Sequence, residues 1–86
     1  MMADKAVISR LLKTARGQLD GLLKMVEDDR YCIDISTQLL ATEAILRKAN
    51  KEVLRAHMEH CVKDAIHTGE EKKIDEMIAV IDKLSK

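Results

Sequence analysis

The chain has 86 residues, of which 47% are hydrophobic and 35% charged, and its 15 basic and 15 acidic side chains give a formal net charge of zero. With one aromatic residue, Tyr31, and no proline, its composition is typical of a helical bundle. Two cysteines are too few for a disulfide scaffold, and no apolar run approaches the roughly 18 residues of a membrane span. We therefore expect one small cytoplasmic domain, residues 1–86, with reduced thiols and no membrane partner.

The first predicted element is a helix over residues 4–27. Its apolar residues follow the spacing i, i+3, i+4, i+7 of one helical face. The series comprises Ile8, Leu11, Leu12, Ala15, Leu19, Leu22, Leu23 and Val26. Gly17 and Gly21 lower the intrinsic helix propensity but do not interrupt the series. The acidic pair at positions 28 and 29 ends the pattern, so we expect a short turn there.

A second, longer helix is predicted over residues 33–67. Alternating steps of four and three residues again mark one apolar face, and Thr42 is its only polar member. The series comprises Ile35, Leu39, Thr42, Leu46, Ala49, Val53 and Ala56. Asp29 or Asp34 is a candidate N-cap, and Thr68-Gly69 supplies a stop signal at the other end. No glycine or proline intervenes, so the helix should be continuous.

A short third helix follows the stop signal. Its apolar face consists of Ile74, Met77, Ile78, Ile81 and Leu84. His67 lies where the helix dipole favours a cation, and we assign it a capping role only. The predicted fold is all-α: a three-helix protomer with a long antiparallel helical hairpin and a short C-terminal helix. Because a monomer of this size buries only about 60% of its unfolded surface, we expect two hairpins to pair into a dimeric four-helix bundle.

Two cysteines and a histidine carry the most specific chemistry in the sequence. His57 and Cys61 are four residues apart and therefore share one face of the second helix. Cys32 precedes His57 by 25 residues, or about 37 Å along a continuous helix. One chain therefore cannot hold a metal ion with all three residues. An antiparallel dimer would place Cys32 of one subunit beside His57 and Cys61 of the other, at two symmetry-related sites.

The donor atoms favour copper over zinc. Two thiolates and one imidazole form a three-coordinate set that suits Cu(I), whereas structural Zn²⁺ has four ligands. His60, next to Cys61, is a candidate fourth ligand for Zn²⁺ or Ni²⁺, although a solvated histidine is the commoner role. Each cysteine taken singly is more often a small buried hydrophobic residue than a ligand. The combination of the three residues, and neither cysteine alone, supports the hypothesis of a metal site.

The net charge of zero conceals an uneven distribution. Residues 1–24 and 47–55 each sum to +3, whereas residues 25–46 sum to −4 and residues 56–86 to −2. Basic side chains recur at helical spacing and, with one glutamine, form a candidate phosphate-contacting surface. These residues are Arg10, Lys13, Arg16, Gln18, Arg47, Lys48, Lys51 and Arg55. Most such stripes are the solvated side of an amphipathic helix, and the spacings of helix-turn-helix and zinc-finger motifs are missing.

The sequence resembles the copper-sensing operon repressor (CsoR) family over nearly its whole length. That family also contains nickel or cobalt, formaldehyde and persulfide sensors. The most specific match is the run from Val26 through Tyr31-Cys32 to Asp34, together with the Cys–His–Cys spacing. Further matching stretches are Gly17-Gln18, Thr37-Gln38, Leu46-Arg47-Lys48 and His57 through Val62.

The resemblance implies a homotetrameric repressor, built as a dimer of dimers, that binds double-stranded operator DNA and releases it when its effector binds. The effector would be Cu(I), bound by Cys32 of one subunit with His57 and Cys61 of its partner. Tyr31 and Glu76 match positions of an outer shell that couples the metal site to DNA release. No glycine-rich loop or Ser/His/Asp arrangement points instead to an enzyme.

Two departures from the family pattern affect this interpretation. The first helix of the family commonly reads Arg-Leu-x-Arg before Gly-Gln, and this chain has Leu11 and Thr14 at those arginine positions. The basic stripe is displaced onto neighbouring residues, so we expect different operator contacts. The nickel/cobalt branch has an extra histidine near the N-terminus and a histidine where Cys61 stands, and this chain has neither.

A persulfide sensor without a metal cofactor is the alternative. Such sensors of the family keep both cysteines but usually lack the histidine, so His57 favours copper. Cys32 and Cys61 of paired subunits would nevertheless be able to crosslink if their thiolates were accessible.

Overall fold

The computed structural model describes residues 1–68 and 71–84, apart from the side chains at positions 65, 67, 68, 71–73 and 84. It consists of three helices: α1 (Lys5–Glu27), α2 (Cys32–Thr68) and α3 (Glu71–Leu84). Within the described residues, α1 and α3 each pack on α2 and not on each other. The predicted all-α protomer with a long hairpin and a short third helix is confirmed. Gly69 and the side chain of His67, to which the sequence assigned stop and capping roles, lie outside the described part.

Helix α1 begins one residue later than predicted because Asp4 is its N-cap. The Asp4 carboxylate accepts hydrogen bonds from the backbone N–H groups of Ala6, at 2.8 Å, and Val7, at 3.4 Å. The buried residues of α1 are Ile8, Ala15 and Leu22, which recur every seven residues. Other members of the apolar series, namely Leu12, Leu19, Leu23 and Val26, stay exposed in the protomer.

The predicted turn between α1 and α2 is present, but neither proposed aspartate caps α2. Asp29 lies in the turn with φ at 49°, a left-handed conformation that aspartate tolerates better than most residues. The first backbone hydrogen bond of α2 runs from the N–H of Ile35 to the carbonyl of Tyr31, at 3.2 Å. Asp34 therefore lies inside the first turn, where its charge favours the helix dipole.

The single polar residue in the apolar series of α2 lies in the seam between the two long helices. Thr42 is 3% exposed, and its Oγ1 lies 2.8 Å from Oε1 of Gln18 and 3.1 Å from the carbonyl oxygen of Gln38. The hydroxyl donates its proton to these acceptors and so satisfies a buried polar group. Ala15 and Ala49 are also buried and add little volume, whereas Ile8 and Leu22 are the larger buried side chains of α1.

The protomer is long and thin. Its extents are 57 × 27 × 12 Å, and its radius of gyration is 17.5 Å, against about 12 Å expected for a compact domain of this length. The thinnest dimension is close to the diameter of one helix, about 10–12 Å. Stable domains pack at least two layers of secondary structure around a core, and this protomer supplies one. None of its described helices is both long and apolar enough to cross a membrane.

Candidate metal centre

Three potential metal ligands meet where α3 packs on the second half of α2. His57 and Cys61 lie one turn apart on α2, with Sγ of Cys61 3.5 Å from Nε2 of His57. Glu76 reaches them from α3: one carboxylate oxygen lies 2.6 Å from Nε2 of His57 and the other 3.8 Å from Sγ of Cys61. The three side chains can place one nitrogen, one sulfur and one oxygen atom within 4.8 Å of one another.

The cluster is buried at the sulfur and open at the other two ligands. Cys61 is 1% exposed, whereas the side chains of His57 and Glu76 are 40% and 44% exposed. In the neutral imidazole with its proton on Nε2, His57 donates to the Glu76 carboxylate, and this bond fixes both the tautomer and the ring orientation. A carboxylate supports a metal-binding imidazole in this way when the metal ion is on the other ring nitrogen, Nδ1, whereas Sγ of Cys61 lies beside Nε2 itself.

Cys32 lies far from this cluster, as its position in the sequence requires. It is the first residue of α2 and is exposed. Since α2 runs without a break from Cys32 to Thr68, the helical rise puts about 37 Å between Cys32 and His57. Tyr31 precedes Cys32 and is 68% exposed, so neither residue contacts the cluster of the same chain.

His60 does not join the cluster. Its Nε2 lies 3.4 Å from a carboxylate oxygen of Asp64, one turn further along α2, and its side chain is half exposed. The structure thus gives His60 a surface partner, in line with the commoner role that the sequence suggested for it.

The eight residues of the candidate phosphate-contacting surface fall into four groups. Five of them carry exposed side chains for which the described structure shows no ion pair: Arg10, Lys13, Arg16, Lys48 and Lys51. Arg47 is exposed and bonds Glu43 at 2.7 Å. Gln18 is half buried, and its Oε1 is used by Thr42. The remaining residue, Arg55, has a more restricted environment.

Arg55 is held between two carboxylates of its own helix. Its guanidinium bonds Glu52 through Nε at 3.2 Å and Glu59 through Nη1 at 2.7 Å. The hydrogen bond to Arg55 lowers the pKa of Glu52, and the same pairing raises the pKa of Arg55. The sequence reasoning missed this clamp, although the spacing of the two glutamates, three residues before and four after Arg55, is that of helical ion pairs.

The chain shows extensive similarity to a known family. The sequence profile of the metal-sensitive transcriptional repressor family matches residues 3–83. The chain belongs to this family. The family consists of transcriptional repressors and not enzymes, as the sequence predicts.

Individual relatives agree with the family assignment. The copper-sensing transcriptional repressor CsoR of Bacillus subtilis is 40% identical over 84 residues, which cover 96% of this chain and 83% of the relative. CsoR of Mycobacterium ulcerans is 42% identical over 78 residues, which cover 90% of this chain and 66% of the relative.

Solved structures confirm the fold. The copper-sensing repressor CsoR with Cu(I) from Geobacillus thermodenitrificans superposes with a TM-score of 0.82 at 43% identity, over 94% of this chain and 85% of that one. The nickel-responsive regulator InrS has a TM-score of 0.87 at 22% identity, over 98% of this chain and 96% of that one. At that level of identity, the second likeness concerns the helical architecture alone.

Proposed function

We propose that this protein is a transcriptional repressor that binds operator DNA and is released from it when Cu(I) binds at a Cys–His–Cys site shared by two subunits. The observation that carries the proposal is the contact of His57 with Cys61, at 3.5 Å, on the helix that begins at Cys32. The copper-sensing repressors among the relatives and the Cu(I)-containing structure support copper as the effector.

The donor set of one protomer is incomplete for Cu(I). A soft monovalent ion prefers thiolate and imidazole ligands, and the third group in the described cluster is the carboxylate of Glu76, a hard donor. Cys32 of a second subunit supplies the missing soft ligand if the two α2 helices run antiparallel, as an isologous dimer permits. The residues of two subunits together therefore fit Cu(I). In this arrangement Glu76 orients His57, and Tyr31 lies next to the partner's site.

The apolar surface of the protomer supports the dimer that this site needs. A groove on the hairpin is lined only by hydrophobic residues, namely Leu19, Leu22, Leu23, Val26, Ile35 and Leu39. Four of these side chains are about half or more exposed. A second hairpin packed over the groove would add the missing layer and form a four-helix bundle. Two such dimers would then make the proposed tetramer.

Repression and sensing are linked through two ligands of one assembly. DNA binding relies on the exposed basic side chains of α1 and α2, which neutralise phosphates. Bound Cu(I) ties Cys32 of one subunit to His57 and Cys61 of the other, so the two ligands favour different relative positions of the subunits. Each ligand then lowers the affinity for the other by the same factor.

Persulfide sensing is the second candidate function, and the exposure of Cys32 favours it. An exposed thiol is open to a persulfide, whose S–S bond breaks while a new S–S bond forms between Cys32 and Cys61 of paired subunits. The spent persulfide leaves as a thiol and hydrogen sulfide and carries the two thiol protons. The burial of Cys61 makes this route slower in the absence of a rearrangement.

An anaerobic Cu(I) titration against a competing chelator, with displacement from the protein's own promoter DNA as a second readout, tests the proposal. We expect one tightly bound Cu(I) per chain and release of the DNA. His57→Ala should abolish both effects, whereas the matched variant His60→Ala should retain them. Weak Cu(I) binding, or tight binding that leaves the DNA in place, would contradict the copper proposal. DNA release by a persulfide donor under those circumstances would establish the second candidate.

A further inference from the structure

We propose that a polar groove at the turn between α1 and α2 binds phosphate groups of the DNA backbone, with Lys24 and Arg30 as its cationic contacts. The groove has a volume of about 480 Å³ and is lined by residues of both helices and of the turn. The inference rests on the proposed function, from which it takes DNA as the ligand, and it adds both residues to the candidate phosphate-contacting surface.

The chemistry of the lining is the first argument. Lys24 and Arg30 are exposed and bring two positive charges against the one negative charge of Asp28. Gln18 and Gln38, both half buried, also line the groove. Ammonium, guanidinium and side-chain amide groups all donate hydrogen bonds to phosphate oxygens. The lining therefore suits an anion with several acceptor oxygens.

The donors are held in place before a ligand binds. Oε1 of Gln18 accepts the hydrogen bond of Thr42 at 2.8 Å, which leaves the amide nitrogen as the donor of that side chain. Backbone hydrogen bonds close the turn after α1, and the one from the N–H of Arg30 to the carbonyl of Met25, at 3.0 Å, fixes the backbone of Arg30. The ion pair of Arg30 with Asp34 is exposed and long, 3.9 Å, so a phosphate can replace it at little cost.

The position of the groove keeps it open in the proposed dimer. The apolar groove that a second hairpin would cover is lined on α1 by Leu19, Leu23 and Val26, among others. The polar groove is lined on the same helix by residues such as Gly21 and Lys24. At about 100° per residue, the α1 residues of the two grooves point in directions about 150° apart. Covering one groove therefore leaves the other accessible to DNA.

The groove also continues the basic surface of α1. Lys24 follows Arg10 by 14 residues, close to four complete turns, so the two residues lie on one side of the helix, about 21 Å apart along its axis. A DNA strand carries one phosphate per about 3.4 Å of its axis. The two cations would therefore contact different phosphates and contribute separately to the salt dependence of binding.

The groove gives the proposed linkage between metal and DNA a structural route. Arg30 lies two residues before Cys32, the residue that Cu(I) would tie to a second subunit. A shift of Cys32 on metal binding would move Arg30 with it and change the shape of the groove. The phosphate contact would then weaken when Cu(I) binds, as reciprocal linkage requires.

Fluorescence anisotropy with DNA at several salt concentrations tests the inference. We expect Lys24→Gln and Arg30→Gln each to reduce the slope of log affinity against log salt by about 0.9 for every subunit that contacts the DNA. The losses should be equal on promoter and random-sequence DNA, because phosphates carry no sequence information. Lys24→Arg keeps the charge and should keep the slope. Both side chains are exposed, so the fold should persist, which circular dichroism checks.

Lys83→Gln is the matched control, because it removes one charge from an exposed lysine of α3 that does not line the groove, and it should leave the slope unchanged. Equal slope changes in Lys83→Gln and Lys24→Gln would overturn the inference, since they would indicate an effect of net charge alone. A calorimetric signal for inorganic phosphate that Lys24→Gln abolishes, with the DNA slope of that variant unchanged, would also overturn it, by making the groove a site for free phosphate.

The same experiment separates this inference from the proposed function. If the slopes changed as expected but Cu(I) failed to release the DNA, the proposed function would fail and this inference would stand. The absence of any salt-dependent complex between wild-type protein and DNA would overturn both.

Discussion

At the scale of single residues, the partly buried hydrogen bond between Thr42 and Gln18 is the contact whose loss should lower the free energy of unfolding most. Thr42→Val keeps the shape of the side chain and removes the donor to the half-buried Gln18 amide oxygen, which lies 2.8 Å away. We expect a loss of about 1–3 kcal/mol in the free energy of unfolding, measured from urea denaturation at a fixed protein concentration.

Thr14→Val is the control for this change. The hydroxyl of Thr14 donates to the carbonyl of Arg10 at 3.0 Å on the exposed side of α1, so the same substitution removes a bond that water can replace. Its effect should stay within about 0.5 kcal/mol. Equal losses for the two variants would show that the seam gains nothing from its polar pair.

Sequence reasoning identified the residues of the cluster better than their contacts. The spacing of His57 and Cys61 predicts that they share a helical face, and the structure places them in contact. The approach of Glu76 was implied only by the family resemblance, because the distance between α2 and α3 depends on how the two helices pack. The partnership of Gln18 with Thr42 was missed for the same reason: residues 24 positions apart meet only once the hairpin has formed.

At the scale of elements, periodicity located the ends of the first two helices to within one residue and predicted the third helix from its apolar face without bounds. Predicted bounds of 4–27 and 33–67 compare with Lys5–Glu27 and Cys32–Thr68. The differences arise at the caps, where a backbone carbonyl or a carboxylate decides the end and apolar spacing gives no signal. The ion pairs along α2 were predicted less well, because a list of basic residues does not show which of them bond to carboxylates.

Ion pairs within α2 should divide its basic residues into two classes that differ in their contribution to the salt dependence of DNA binding. Lys51→Gln removes an exposed charge without a described ion pair and should reduce the slope of log affinity against log salt by about 0.9. Arg55→Gln should change the slope less, because Glu52 and Glu59 already hold the guanidinium and a phosphate must compete with them. Fluorescence anisotropy with promoter DNA at several salt concentrations measures both slopes. A larger change for Arg55 than for Lys51 would contradict this division.

At the scale of the whole molecule, the thin protomer should be stable only when assembled. Leu23 and Leu40 are 62% and 63% exposed in the protomer, but only Leu23 lines the apolar groove. We expect Leu23→Glu to shift the protein to monomers with reduced helicity, and Leu40→Glu to leave the dimer intact. Analytical ultracentrifugation with circular dichroism measures both effects. Dimers that survive the change at Leu23 would place the interface on another face.

The proposed metal site, which two subunits would share, makes a prediction whose test needs a mixture of two variant chains. Cys32→Ala and His57→Ala chains should each fail to bind Cu(I) tightly, because every site of either homodimer lacks a ligand. A co-refolded equal mixture should regain about a quarter of the wild-type sites, since half of the dimers are mixed and each mixed dimer restores one of its two sites.

A second mixture controls for the first. His57→Ala and Cys61→Ala chains remove ligands that the structure places on the same α2 helix, 3.5 Å apart. No mixed dimer of these chains can bring both ligands together from one subunit, so their mixture should regain no tight Cu(I) site. Recovery in this mixture, or none in the first, would contradict a site in which Cys32 acts across the dimer and His57 acts with Cys61.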